Sequence, residues 1–329
     1  MGRNPFGDYV GSYMDSVREV YSQETLKNRA RRYKRMEGKI QLLVKEGKVK
    51  SMSPKNWTEN DVREYILYCK TLVSTADLVH EINALRQLLL FIDNPAVDLC
   101  LAHNPMLKPK FKGTRRKDSM SDDMYDLILN RSRIIDTGDF HLVRAYALVL
   151  MAITTGTRNK EIRLANVEDV NTTLWTFDII HVKGEATYGM PRTVPLHPDV
   201  REILTLYLIL RKKWVADNAV NSQALFPSKD SQDGYLSGNA IRKIKETVEK
   251  DLNVKFDLRM CRRTFGQRYL DKDVDIESVS VLMGHASTKT TEGFYSRKRL
   301  NKAMDNARNS WLSSGGQETC PLLDNLDCD

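Results

Sequence analysis

No two cysteines in this chain are spaced as CxxC. The five present, Cys69, Cys100, Cys261, Cys320 and Cys328, are odd in number and widely separated. Neither a zinc ribbon nor a disulfide framework fits that distribution, so reduced thiols are expected. Long hydrophobic runs are also missing. The best of them, Ala145–Ile153, is half the ~18 apolar residues a membrane span needs, and reads as a buried helix. The opening Met-Gly-Arg-Asn-Pro-Phe carries no signal-like apolar stretch, and phenylalanine at position 6 breaks the myristoylation pattern. A cytoplasmic protein without membrane association is expected.

Several catalytic signatures are absent too. There is no GxxxxGK[ST] segment, which argues against an ATP-driven motor. The six histidines are scattered without an HxxxH or HExxH pair, and no GxSxG elbow occurs. No Asp/Glu/His set is clustered like a two-metal nuclease site. The expectation is a protein with no cofactor and no metal. If it cuts DNA, it does so by other means.

What the chain does have is positive charge. Fifty-one Lys/Arg face 43 Asp/Glu, a net charge of +8. The imbalance is uneven, because Glu318, Asp324, Asp327 and Asp329 fall in a tail from Ser313 to Asp329 that holds no base. A basic body with a short acidic tail points to a polyanion, most simply nucleic acid; surface charge kept for solubility is the other reading. At 329 residues and 41% hydrophobic composition, the chain has material for about two domains.

Periodicity gives the organisation. Ser22 can cap a helix beginning near Thr25, with apolar positions Leu26, Ala30, Tyr33, Met36, Ile40 and Leu43 on one stripe. Lys27, Arg31, Lys34 and Arg35 occupy the other faces, suited either to solvent or to a phosphate backbone. Thr58 and Asp61 have near capping-box spacing before Val62, Tyr65, Ile66 and Cys69. A third helical pattern covers Ser74–Ile92 and ends at Asp93-Asn94-Pro95. Residues 1–103 are therefore expected to be an all-helical domain. Residues 104–119 carry two prolines, a glycine and the bases Lys108, Lys110, Lys112, Arg115 and Arg116. That composition predicts an extended basic linker, either a plain tether or a segment that follows DNA. A second domain is expected over 120–312, with helices at Asp122–Arg131, Phe140–Thr155, Pro198–Trp214, Ser237–Asp251, Leu258–Leu270, Ile276–Met283 and Arg297–Leu312. Phe177–Val182 and Arg192–Leu196 read as a β-hairpin. The fold class is thus mainly α with a small β element, and 313–329 is a flexible acidic tail.

Metal-free phosphodiester chemistry needs a nucleophile that can hold the phosphoryl group, fixed cations for the transition state, and a proton donor for the leaving alkoxide. Arginine suits the cations because its planar fork binds two oxygens and stays charged. Tyrosine suits the nucleophile because a phenolate can leave again. Three segments offer these parts: Thr154-Thr155-Gly156-Thr157-Arg158-Asn159-Lys160-Glu161-Ile162, Leu258-Arg259-Met260-Cys261-Arg262-Arg263-Thr264-Phe265, and Leu282-Met283-Gly284-His285 followed by Thr290-Thr291-Glu292-Gly293-Phe294-Tyr295. Glu161, one turn after Arg158, can buttress the local structure. Each segment alone has a bland reading as a helix cap, a basic helix face or a C-cap.

Together and in this order they resemble the tyrosine recombinase, or phage-type integrase, family, whose signature runs TGxRxxE, HxxR, then GH with a tyrosine about ten residues on. The resemblance implies a helical core-binding domain joined to a catalytic domain, closing as a C-shaped clamp on double-stranded DNA attachment sites. It implies roles for Arg158 and Arg262 as the clamp on the scissile phosphate, Lys183 in the hairpin as general acid, and His285 as a hydrogen bond to a non-bridging oxygen. Tyr295 would be the nucleophile. It also implies a homo-tetramer on two duplexes, from a monomer or dimer in solution, integrating and excising a mobile element. Arg192 resembles the family's common hairpin arginine that supports DNA contacts, and Arg263 extends the basic face of its helix.

Two departures stand out. Arg259 occupies the place of the usual histidine or lysine; arginine keeps its proton, so it can bind phosphate but not serve as a base. The spacing from His285 to Tyr295 is ten where nine is commoner, and Phe294 stands at the nine position without a nucleophile. Both departures resemble integrases of fusellovirus-type archaeal viruses. A type IB topoisomerase and a non-catalytic DNA-binding regulator on the same scaffold remain the alternatives, with a metal-dependent nuclease more distant.

Overall fold

Side-chain caps set most helix starts. The computed structural model describes residues 5–110, 118–182 and 189–285, together with Met304, Ala307, Asn309 and Ser310. Lys112, Arg115, Arg116, Lys183, Tyr295, most of the helix expected at 297–312 and the tail 313–329 lie outside the described residues. The chain divides into two compact units, Met1–Arg115 and Arg116–Asp329, and the division falls inside the basic segment 104–119.

Among the described residues, the first unit holds five α-helices: α1 (Pro5–Ser16), α2 (Gln23–Lys45), α3 (Glu59–Leu72), α4 (Thr75–Phe91) and α5 (Ala96–His103). Ser22 caps α2 by accepting from the Thr25 N–H, as its position in the pattern predicts. Thr58 and Asp61 form a full capping box at α3. Asp61 does more than cap. It is buried, one carboxylate oxygen accepts from the Thr58 N–H (2.8 Å) and hydroxyl (2.7 Å), and the other accepts from the Lys50 N–H at 2.7 Å. The core gathers Tyr33, Met36, Ile40 and Leu43 of α2 with Tyr65, Ile66, Leu85 and Leu88.

Helix α2 is basic on two faces that do different work. Lys27, Arg31, Lys34 and Arg35 are exposed. Arg32 and Lys39 turn inward to the buried Glu81 carboxylate, at 3.4 and 3.0 Å, which also accepts from the Tyr65 hydroxyl at 2.9 Å. Ala30, placed on the apolar stripe by its spacing, is exposed. Helix α1 escaped the pattern because Gly7 and Gly11 lower its helical propensity; burial of Phe6 and Tyr13 overrides that deficit. α5 was not expected either. The predicted linker is not extended at its start, since Pro105–Leu107 forms a 3₁₀ turn and Leu107 is buried in the first core.

The second unit begins with α6 (Asp122–Ser132) and α7 (Phe140–Thr155), then the five-residue α8 (Asn159–Arg163). A three-stranded antiparallel sheet follows: β1 (Val170–Asn171), β2 (Thr176–Ile179) and β3 (Arg192–Pro195), in the order β1-β2-β3. β2 and β3 pair Phe177 with Val194 and Ile179 with Arg192. β1 is two residues long, too short for periodicity to reveal. β2 ends at Ile179 rather than continuing to Val182 as the branched residues suggested. Four more helices follow among the described residues up to His285: α9 (Pro198–Asp217), α10 (Gly238–Leu252), α11 (Leu258–Asp271) and α12 (Ile276–Met283); Met304, Ala307, Asn309 and Ser310 are helical as well. α7 is the central post. It is buried from Ala145 through Thr155 and packs against α9, α10 and α11. An all-round apolar helix requires this position, because no face of it can meet water cheaply. Among the described residues, no helix is long and apolar enough to cross a membrane.

The three bonds to Asp61 yield a stability prediction. Asp61→Ala removes the acceptor of the Lys50 and Thr58 N–H groups and of the Thr58 hydroxyl and should cost about 2 kcal/mol in urea unfolding. Asp61→Asn should recover part of that loss.

Candidate active site

α7 ends on Gly156, in the left-handed conformation at φ 63°. A Cβ here would lie 2.5 Å from Cδ1 of the Phe265 ring, so both conformation and space demand glycine. The turn places Arg158 just before α8, with Glu161 one turn later.

Glu161 is the centre of the site. Its side chain is 0% exposed. Oε1 accepts from Nη1 of Arg158 at 2.7 Å and from Nη1 of Arg192 at 3.3 Å. Oε2 accepts from the Arg158 N–H at 2.8 Å and from Nη2 of Arg192 at 2.9 Å. Nη1 of Arg262 stands 3.9 Å from the same oxygen. These four hydrogen bonds fill the carboxylate's acceptor sites. Burial acts to raise the Glu161 pKa, but the bonds and charge of Arg192, then those of Arg158, outweigh it and hold the carboxyl below its ordinary range.

The same three arginines meet a second anchor. α12 ends in a left-handed Gly284, and the His285 N–H closes the turn onto the Ser280 carbonyl at 3.0 Å. Three successive carbonyls at this end each accept from a different arginine. Leu282 accepts from Nε of Arg192 at 2.8 Å, Met283 from Nη2 of Arg262, and Gly284 from Nη2 of Arg158 at 2.9 Å. Arg262, from α11, also donates through Nη1 to the Gly156 carbonyl at 2.6 Å. The negative end of α12 is thus capped by cations, as its dipole favours.

His285 follows directly. Burial is the largest influence on it, followed by the charges of Arg262, Arg158 and Arg192. Together these outweigh Glu161 and push its pKa down to about 4. At neutral pH the imidazole is uncharged. Three guanidinia around one carboxylate leave excess positive charge, and the Arg158 side chain remains 30% exposed. The arrangement is a pre-set anion receptor with a neutral imidazole beside it.

The structure brings Arg158, Arg262 and His285 together. Arg259 lies on the exposed side of α11, and Lys183 and Tyr295 fall outside the described residues. Arg192, expected among DNA-facing residues, is only 8% exposed and its guanidinium is turned into the cluster. Arg263 also serves inside its unit, donating from Nε to the Asp118 carbonyl at 3.0 Å. Lys108 and Lys110 are exposed. Glu161, read from its spacing as a local buttress, reaches arginines from three separate segments. Its spacing after Arg158 signalled the first contact, and nothing local signalled the others.

Comparison with known proteins fixes the lineage. Residues 120–302 match the model of the Phage integrase family, more than half of the chain. The chain belongs to the phage integrase family. It is 26% identical over 253 residues to tyrosine recombinase XerC of Pseudomonas fluorescens, covering 75% of this chain and 79% of XerC. It is 27% identical over 170 residues to tyrosine recombinase XerA of Pyrococcus furiosus, spanning 55% of that protein's length. In fold, it resembles the XerH site-specific recombinase in a post-cleavage complex on palindromic difH substrate. The TM-score is 0.65 at 17% identity, covering 92% of this chain and 97% of XerH. A lambda integrase dimer bound to a COC′ core site gives 0.57 at 15% identity, covering 88% of this chain and 78% of that one. The helical fold with one small sheet is therefore that of tyrosine recombinases.

Two measurements check the integrase site. Glu161→Gln should lose about 3 kcal/mol of unfolding free energy, because it leaves buried guanidinia without their counter-charge. The His285 shift has a definite sign. The unfolded chain takes up this proton near pH 6.5 and the folded chain only near pH 4. The imidazole thus costs no stability above pH 6.5 and progressively more as pH falls toward 4. Between pH 7 and 4.5 the wild-type urea midpoint should fall further than that of His285→Asn, and an equal fall would contradict the assignment.

Proposed function

We propose that this integrase is a site-specific DNA recombinase that integrates and excises a mobile element, of the fusellovirus-type archaeal lineage. The observation that carries the reading is the convergence of Arg158 and Arg262 on the end of α12, where His285 follows directly. Arg158 and Arg262 hold the non-bridging oxygens of the scissile phosphate, and neutral His285 hydrogen-bonds one of them. Tyr295 attacks phosphorus. The 3′-phosphotyrosyl bond forms as the bond to the 5′-oxygen breaks, and Lys183 supplies that oxygen's proton. A 5′-hydroxyl from the partner duplex then reverses the chemistry onto a new strand. The bond energy stays in the protein–DNA ester, so neither ATP nor a metal is consumed. Arg259 binds phosphate rather than acting as a base.

Residues 1–103 form the core-binding domain and 120–312 the catalytic domain, joined by the basic segment 104–119. The exposed Lys27, Arg31, Lys34 and Arg35 of α2, with Lys108, Lys110, Lys112, Arg115 and Arg116, follow the phosphate backbone. Both domains bind double-stranded DNA, and four protomers assemble on two duplexes in the host cytoplasm. DNA-bound relatives support the DNA partner, and the net charge of +8 fits it.

The test uses a supercoiled plasmid carrying the DNA that flanks this gene, incubated with protein in EDTA and quenched with detergent. Wild-type protein should become covalently attached to DNA and Tyr295→Phe should not. Equal attachment by both would move the nucleophile to another residue. Tight binding without attachment by either would favour a DNA-binding regulator.

A further inference from the structure

We propose that Arg192 is a positioning residue for strand cleavage, and that it acts by clamping Glu161 to the end of α12 instead of by touching DNA. The proposal deepens the recombinase reading and rests on it. Three observations carry it. First, all three guanidinium nitrogens of Arg192 are committed inside the protein. Nη1 and Nη2 lie on the two Glu161 oxygens at 3.3 and 2.9 Å, and Nε lies on the Leu282 carbonyl at 2.8 Å. Second, the side chain is 8% exposed, so its charge is spent on a fully buried carboxylate. Third, the chain leaves space for this guanidinium. A Cβ on Gly284 would lie 2.7 Å from Arg192 Nη1 and 2.9 Å from its Cζ. The glycine before His285 therefore answers two constraints, a left-handed turn at φ 62° and the closeness of Arg192.

The mechanical consequence follows from the shared partners. Glu161 holds Arg158, and the α12 end carries His285. Arg262 ties the Gly156 turn to the Met283 carbonyl and the Arg158–Gly284 bond ties the same two segments, while Arg192 is the arginine whose fork joins both Glu161 oxygens to the end of α12. Arg192 enters from β3, paired to β2 through Ile179, and joins the sheet to both. A lysine can replace it only in part. A single ammonium can reach one carboxylate oxygen or the carbonyl, whereas the planar fork spans all three acceptors. Loss of the clamp lets Arg158 and His285 drift relative to each other, and a displacement of about 1 Å can cost a catalytic site 100-fold.

Arg192→Ala and Arg192→Lys in the full chain separate this role from a phosphate contact. The probes are the flanking-DNA plasmid for covalent attachment and a duplex spanning its mapped break for affinity across a salt series. The expected result is affinity within about twofold of wild type and an unchanged salt slope for both variants. Covalent attachment should slow about 100-fold in Arg192→Ala and about tenfold in Arg192→Lys, with added guanidinium ion restoring part of the Arg192→Ala rate. A phosphate contact predicts the opposite pattern. Arg192→Ala would bind more weakly, with its salt slope reduced by about one, and Arg192→Lys would bind and cleave like wild type. That pattern, or wild-type cleavage by both variants, overturns the proposal. Should Arg192→Ala fail to fold, Arg192→Lys carries the same comparison with the charge retained. Should wild-type protein form no covalent complex, the recombinase reading fails separately. The clamp is then decided by the His285 ring resonances, which must differ between wild type and Arg192→Lys; identical resonances overturn it.

Discussion

A carboxylate with no access to water is tolerable only if its charge is met at close range, and the second unit is organised around one such group. Glu161 is saturated by four hydrogen bonds from two arginines, with a third guanidinium 3.9 Å away. The constraint works in both directions. The carboxylate needs the cations, and the partly buried cations need it, because unpaired burial of either costs several kcal/mol. Three guanidinium charges surround the single Glu161 carboxylate. Each of the three also donates to a carbonyl at the end of α12, which carries only a partial charge. Burial first, and then the charges of these three arginines, lower the pKa of His285.

The elements that meet here owe their positions to packing elsewhere. The buried post α7 delivers Gly156 and the turn to Arg158. α11 packs on α7 and sends Arg262 back to the Gly156 carbonyl. α12 packs on α11 and points its last turn at the same place. The Phe265 ring fills the space that a Gly156 side chain would need. Rigid apolar contacts thus set the distances on which the polar cluster depends, as preorganised electrostatics requires.

The first unit uses the same device on a smaller scale. Glu81 gathers Arg32, Lys39 and the Tyr65 hydroxyl from α2 and α3. Two bases of α2 are thereby tied down, which fixes the rotation of that helix and leaves Lys27, Arg31, Lys34 and Arg35 outward. A basic composition therefore serves two purposes in one helix, anchoring and display, and spacing alone does not separate them.

Local patterns in the chain determined a good deal. Caps such as Ser22 and Thr58, the all-apolar run of α7 and the glycine stops at Gly156 and Gly284 act within a few residues, so helix positions were legible. The motif residues Arg158, Arg262 and His285 were legible because a family signature preserves order. β1 and α1 were not, the one too short for a period and the other poor in propensity, each held by tertiary contacts. The tertiary structure alone decided how the site is wired. Glu161 meets Arg192 across 31 positions of chain, Arg158 meets Gly284 across 126, and Arg262 meets Gly156 across 106. An arginine reads the same in sequence whether it faces a phosphate or a buried carboxylate; burial makes the difference, and burial is settled only when the distant segments pack.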